Sequence, residues 1–276
     1  MKRQLQELKI KNWEEKAVHG YFLRKLREIN QSIDYAKTWG WLKSGTLTSD
    51  VESYICSLQE QEVNTREAQK RHEKDILKKQ NMNSSCRMCK NREENLQHIL
   101  GVCPAISTNL YLNSRHNPVA ETVYFEFLKR IGKNDQYLKR PVNILLHDEY
   151  EIWWDQKVST PNRIPHNKPD IIIWNNKLKY CQIIDISVPL DFNIEKKNVE
   201  KRDNYMALVS ELQRVYRDYK FDIVPIVIGS LGSISKDLVK YTRELNLKDD
   251  IIFKIQKKAL LGSLKVVKTF MKMKQY

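Results

Sequence analysis

Glycine and proline are scarce, with eight of each in 276 residues. That excludes collagen-like and low-complexity chains and leaves most of the sequence free to form regular elements. Cysteine is sparse too: Cys56, Cys86, Cys89, Cys103 and Cys181, three of them within one short stretch. Such thiols make a poor disulfide framework, whereas a cluster of them beside a histidine suits a metal site in a reducing compartment. No run is long and apolar enough to span a bilayer, and the opening MKRQLQELKIKNWEEK holds no apolar signal core. The expectation is an intracellular protein with no membrane partner. Acidic residues stop at Asp250, while Lys254, Lys257, Lys258, Lys265, Lys268, Lys272 and Lys274 follow. With a net charge of +14, the chain suits a polyanion, and phosphate backbones are the commonest.

Apolar residues are present in ordinary amount, and their spacing divides the chain. Residues 1–37 read as helix, from Leu5, Leu8, Ile10, Trp13, Val18, Phe22, Leu26 and Ile29. Trp39-Gly40-Trp41 interrupts that pattern. Thr48-Ser49-Asp50 can cap a further helix through Val51, Tyr54, Ile55 and Leu58. A charged stretch from Arg66 to Gln80 runs into the polar loop Asn81–Ser85, taken as a boundary. Ala120–Ile131 reads as helix, Ile171–Trp174 and Tyr180–Val188 as a hairpin, Asn193–Tyr219 as a long helix and Phe221–Ile228 as a strand. Helices close the chain. A hairpin followed by a helix and another strand implies an α/β unit, a sheet with helices packed on it. The organisation expected is a helical region over 1–80, a cysteine–histidine knuckle over 81–110, and an α/β domain over 111–276 with a basic helical end.

The knuckle is Cys86-x2-Cys89-x8-His98-x4-Cys103. Three thiols and one imidazole match the tetrahedral donor set of Zn²⁺, with no position left for water, so the ion would be structural. Leu96, Ile99, Leu100 and Val102 give it a small apolar cover. Cys56 and Cys181 read as buried small residues.

Two aspartates stand out in the hairpin. With a turn near Lys177 and Leu178, Asp170 falls directly across from Asp185. Like charges so placed repel, and a divalent cation such as Mg²⁺, which prefers oxygen ligands, relieves the repulsion. Asp185 also interrupts the apolar run Ile183–Ile186, where an unpaired carboxylate is costly. A register shift of one residue would put the two on opposite faces.

Lys168-Pro169-Asp170 followed by Ile184-Asp185-Ile186-Ser187-Val188-Pro189 resembles the restriction-like PD-(D/E)XK nuclease motif, in the form found at the C-terminus of site-specific non-LTR retrotransposon proteins. The Cys-Cys-His-Cys spacing, Arg115-His116-Asn117, Pro225–Gly232 and Gln256–Gly262 are similar to that family in the same order, over roughly residues 45–270. The resemblance implies a restriction-endonuclease-like mixed sheet flanked by helices. It also implies a nuclear, DNA-binding endonuclease region of a longer polyprotein, without the polymerase. Asp170 and Asp185 would hold Mg²⁺ or Mn²⁺. Ser187 stands where the simplest motif has a lysine. The retrotransposon form places that lysine on the next helix, four residues before a tyrosine, which Lys201 and Tyr205 satisfy; Lys196 and Lys197 are rivals. Arg115, His116, Lys168 and Tyr205 would contact nucleic acid or support the site, and Asp155 is a candidate third acid. RNA is a second possible ligand. Restriction-like nucleases often dimerise, although no dimer face is legible here. The alternative is a module that has kept the nuclease fold and the knuckle, and holds DNA or RNA without cutting it.

Overall fold

The computed structural model describes residues 2–16, 18–101, 103–133 and 138–273. Val102 and Lys274, two of the positions singled out above, lie outside these residues. Five strands form one mixed sheet in sequence order: β1 (Ile144–His147), β2 (Tyr150–Trp154), β3 (Ile171–Asn175), β4 (Tyr180–Ser187) and β5 (Lys220–Val227). The first four pair antiparallel, and β5 joins β4 in parallel. A parallel neighbour needs a long crossover.

The helices, in chain order, are α1 (Lys2–Glu14), α2 (Tyr21–Glu28), α3 (Tyr35–Thr38), α4 (Gly40–Lys43), α5 (Ser49–Gln59), α6 (Arg66–His72) and α7 (Ile76–Asn81). Then come α8 (Leu96–Gly101), α9 (Thr108–Tyr111), α10 (Asn117–Arg130), α11 (Ile194–Val215), α12 (Lys236–Glu244) and α13 (Ile251–Lys272). α11 is the crossover from β4 to β5.

The sheet is buried on both faces, which is why its central strands read as continuous apolar runs. Ile171, Ile173, Ile184, Ile186, Val224 and Ile226 pack against α10, α12 and the first half of α13. Ile172, Trp174, Cys181 and Ile183 face Tyr205, Leu208 and Leu212 of α11. The second half of α13 leaves the sheet: Leu264, Val266, Val267 and Phe270 share a core with Phe22 and Leu26 of α2, Leu58 of α5, and Cys86, Leu96, Ile99, Leu100 and Cys103 of the knuckle. The knuckle and the N-terminal helices are therefore packed into the same body as the sheet.

Several expectations need correction. The stretch 1–37 is not one helix: it breaks between Glu14 and Tyr21, again after Glu28, and Leu8 is exposed. Gly20 precedes α2 and gives it no side-chain cap. Trp39 does break the helical pattern, standing between α3 and α4, and Gly40 opens the second of these. The Phe253 ring packs directly over Gly40, where a Cβ would come within 2.0 Å. The hairpin β1–β2 was not read from the sequence. Its two-residue turn uses Asp148 in the left-handed region (φ 51°) rather than an Asn-Gly signal, and β1 exposes Ile144 and Leu146.

Glu60, after α5, gives the helical end of the molecule a pH dependence. Burial lifts its carboxyl from 4.5 to about 7; Glu62 adds to that, while a hydrogen bond from Trp13 and the charge of Lys16 oppose it. A raised folded-state pKa means stability is present in full at low pH and is lost as pH rises through about 7. Glu60→Gln should therefore stabilise the chain by about 1–2 kcal/mol at pH 8 and have little effect at pH 4, after allowance for solvent screening. Urea unfolding at the two pH values checks this.

Candidate functional site

The register of β3 and β4 pairs Ile171 with Ile184, so one step further Asp170 lies opposite Asp185, on the face covered by α11. Asp185 is buried, and Tyr205 donates its hydroxyl to Oδ1 at 2.8 Å while Lys201 Nζ stands 2.6 Å from Oδ2. The lysine contact is a short, charge-assisted ion pair to a buried carboxylate oxygen. Both partners come from α11, where Asn198, Lys201, Tyr205, Leu208 and Leu212 recur every three or four residues and share the face toward the sheet.

Asp170 Oδ2 accepts from the Ile186 amide at 2.6 Å and lies 3.2 Å from His116 Nε2. The Ile186 contact locks the carboxylate onto the neighbouring strand. Burial and the charge of Asp170 push the Asp185 carboxyl above its ordinary range, against the opposing pull of Lys201 and Tyr205. Burial works against a charged His116, but its hydrogen bond to Asp170 and that carboxylate's charge prevail and raise its pKa. Burial and the neighbouring Asp185 likewise push the Tyr205 phenol well up, so it stays protonated as a donor.

Asp155 follows β2 and extends the row: its amide donates to the Asp170 carbonyl at 2.8 Å. Its backbone turns to φ 50°, and its carboxylate is exposed and paired with Lys168 at 2.8 Å. Among the other candidates, Lys197 is paired with Glu200 and Lys196 is exposed. Of the three candidate lysines, the contact to Asp185 is made by Lys201.

In the knuckle, the ligand atoms of Cys86, Cys89, His98 and Cys103 all lie within 4.8 Å of one another. The Cys86 and Cys103 sulfurs are 3.8 Å apart, and Cys89 Sγ is 3.3 Å from His98 Nε2. Four donors about 2.0–2.3 Å from a central ion define tetrahedral edges of roughly 3.5–3.8 Å, so the cluster fits a structural Zn²⁺. Among the described residues, no other group of three or more His, Cys, Asp or Glu ligand atoms comes together in this way. Burial, then the charge of Arg92, lower the His98 pKa and favour the neutral imidazole that a metal needs. Burial pushes the Cys103 thiol up to about 12, a penalty on the thiolate that a divalent cation reverses. Lys90 at φ 60° closes the first turn, and Asn95 Oδ1 caps α8 through the His98 amide.

Glu94 and Asp191 are buried acids that the sequence does not single out. Glu94 is fully buried and accepts from the Arg66 and Arg87 amides and from the Arg87 guanidinium, tying the knuckle to α6. Asp191 is buried and accepts from the Leu231 and Ser233 amides and the Ser230 and Ser233 hydroxyls, fixing the loop after β5. A Cβ on Gly229 would meet its Oδ1 at 2.1 Å. The only signal for such residues is an acid flanked by apolar positions, which does not say what it binds.

Arg115 and His116 lie on a single π-helical turn, Leu112–His116, just before α10. Expected as a nucleic-acid contact, Arg115 is instead buried and donates to the Leu100 carbonyl at 3.0 Å. Tyr205 is turned inward to Asp185, and Lys168 is half-exposed beside Asp155. Gln256 and Gly262, in the late stretch Gln256–Gly262, have packing roles. Gln256 donates to the carbonyls of Lys37, Thr38 and Gly232, and a Cβ on Gly262 would meet the Ser114 carbonyl at 2.1 Å. No helix among the described residues is long and apolar enough to cross a membrane. No family model matches the chain, and no curated protein matches it either.

Proposed function

We propose that this chain is a divalent-metal-dependent DNA endonuclease of the restriction-like kind, carrying a structural zinc knuckle. The observation that supports this best is the convergence of Asp170, Asp185, Lys201 and Tyr205 at one end of the central strands. Asp170 and Asp185 are the residues that would hold Mg²⁺ or Mn²⁺. The fit rests on the donor set: two carboxylates at facing strand positions, one of them buried and held by Lys201 and Tyr205. A bound cation supplies Lewis-acid polarisation of a scissile phosphate and acidifies a coordinated water.

The chain's own residues do the rest. The Ile186 amide and His116 fix Asp170, and Tyr205 fixes Asp185. Lys201 offsets the paired negative charge and is placed to balance charge developing on the phosphate. Asp155 and Lys168, paired with each other at the exposed rim, would meet the substrate backbone. A nuclear location is part of the same proposal, and RNA binding is an outcome of the same assays.

Phosphate contacts belong to α13. Lys258, Lys265, Lys268 and Lys272 are exposed within one arc of that helix, whereas Lys254 and Lys257 are engaged with Glu126, Asp250 and the Thr46 carbonyl. Each lysine on a phosphate contributes about one unit to the slope of log affinity against log salt. Replacing Lys258, Lys265 and Lys272 by Ala should flatten that slope by about 3 without altering stability. The function itself is tested on supercoiled plasmid with Mg²⁺ or Mn²⁺: nicking that EDTA abolishes is expected. Tight, salt-dependent binding without nicking would leave a binding module in place of the nuclease.

A further inference from the structure

The π-helical turn joins the two halves of the site. Its Arg115 is 7 % exposed, an unusual place for a guanidinium, and its acceptor is a carbonyl at the C-terminal end of α8, the helix that carries His98. Helix ends leave such carbonyls without intrahelical partners. Tyr111 donates to the preceding one, Ile99 O, at 2.5 Å, and the Arg115 guanidinium lies 4.8 Å from the Tyr111 ring. The next residue, His116, faces the other way and meets Asp170. On the third side α13 presses its backbone against Ser114 and Arg115 at Gly262. Arg115 is thus the link between the last turn of the knuckle and the histidine on the carboxylate pair, and it reaches neither solvent nor substrate.

We propose that Arg115 is a positioning residue that transmits the placement of the knuckle helix to His116 and, through it, to Asp170. Isolated π turns within helices often mark functional positions, because the extra residue re-aims side chains. Here it sends two adjacent side chains to different partners. Burial lowers the Arg115 pKa to about 10, with Tyr111 and Asp191 opposing, so the group stays cationic at neutral pH. Losing the guanidinium leaves Leu100 O unsatisfied and frees the turn to rotate, so His116 loses its fixed approach to Asp170. The link is a property of the fold; its catalytic consequence rests on the nuclease reading.

The test is made on the full, zinc-loaded chain with ¹³C-labelled histidine. The His116 ring signal is assigned by its loss in His116→Gln. In Arg115→Met, which keeps the bulk but removes the donors, that signal should move; in Arg115→Lys, which can still reach a carbonyl, it should move less. If Arg115→Met does not fold, Arg115→Gln, which is shorter and lacks the charge, carries the same expectation. In the nicking assay kcat should fall about tenfold with KM for DNA within twofold. An unmoved His116 signal in a folded variant overturns the link. A moved signal with unchanged kcat overturns its role in catalysis. If the wild type does not nick, the nuclease reading falls, and the ring signal still decides the link.

Discussion

Asp185→Asn should lose metal-dependent nicking by on the order of 10³-fold while folding at least as stably as the wild type at pH 7. The two halves of this expectation come from one feature. The Asp185 carboxyl is pushed up, by burial first and by Asp170 second. A carboxylate whose folded pKa exceeds its unfolded value destabilises the fold once pH rises above the ordinary carboxylate range. Asparagine keeps an oxygen for the Tyr205 hydroxyl and removes the repulsion with Asp170, at the loss of the Lys201 pairing. Thermal unfolding and plasmid nicking measured on one preparation check both. Lys201→Ala should behave differently, because it leaves the buried carboxylate without its cation: nicking falls about 10²-fold or more and stability falls as well. Lys197→Ala, at a residue paired with Glu200, should match the wild type.

Stripping zinc from the knuckle is expected to destabilise the whole chain, not the knuckle alone. Cys86 and Cys103 are buried in the same core as Val266, Val267 and Phe270 of α13, and α13 also packs on the sheet. Structural zinc contributes on the order of 10 kcal/mol in small isolated modules, comparable to the entire stability of a typical domain. A loss of about 5 kcal/mol would lower Tm by roughly 10–20 °C for a chain of this size. Calorimetry with and without a zinc chelator measures it. Cys86→Ser should reproduce the chelated state. Cys181→Ala, outside the cluster, should leave one zinc per chain in place.

The parts of this molecule governed by short-range rules were legible in the sequence. The knuckle follows from ligand spacing, and the facing of Asp170 and Asp185 from the position of one turn. Lys201 and Tyr205 stand out only through the resemblance, with Lys196 and Lys197 as rivals, and their contacts to Asp185 come from the packing of α11 on the sheet. Features set by contacts between distant segments were not legible. The β1–β2 hairpin lacks a turn signature because Asp148 takes a left-handed conformation usually left to glycine or asparagine. Arg115 reads as a surface cation, and only the π turn and the end of α8 together show why it is buried. Glu94 and Asp191 each collect donors from segments far away in the chain.

The central claim, that Asp170 and Asp185 form a divalent-cation site, is tested most directly by titrating the zinc-loaded chain with Mn²⁺ and following free Mn²⁺ by electron paramagnetic resonance. Saturable Mn²⁺ binding to the wild type, lost in Asp170→Ala/Asp185→Ala with the zinc retained, is the expected result. No binding by the folded wild type, or equal binding by the double variant, would contradict the account.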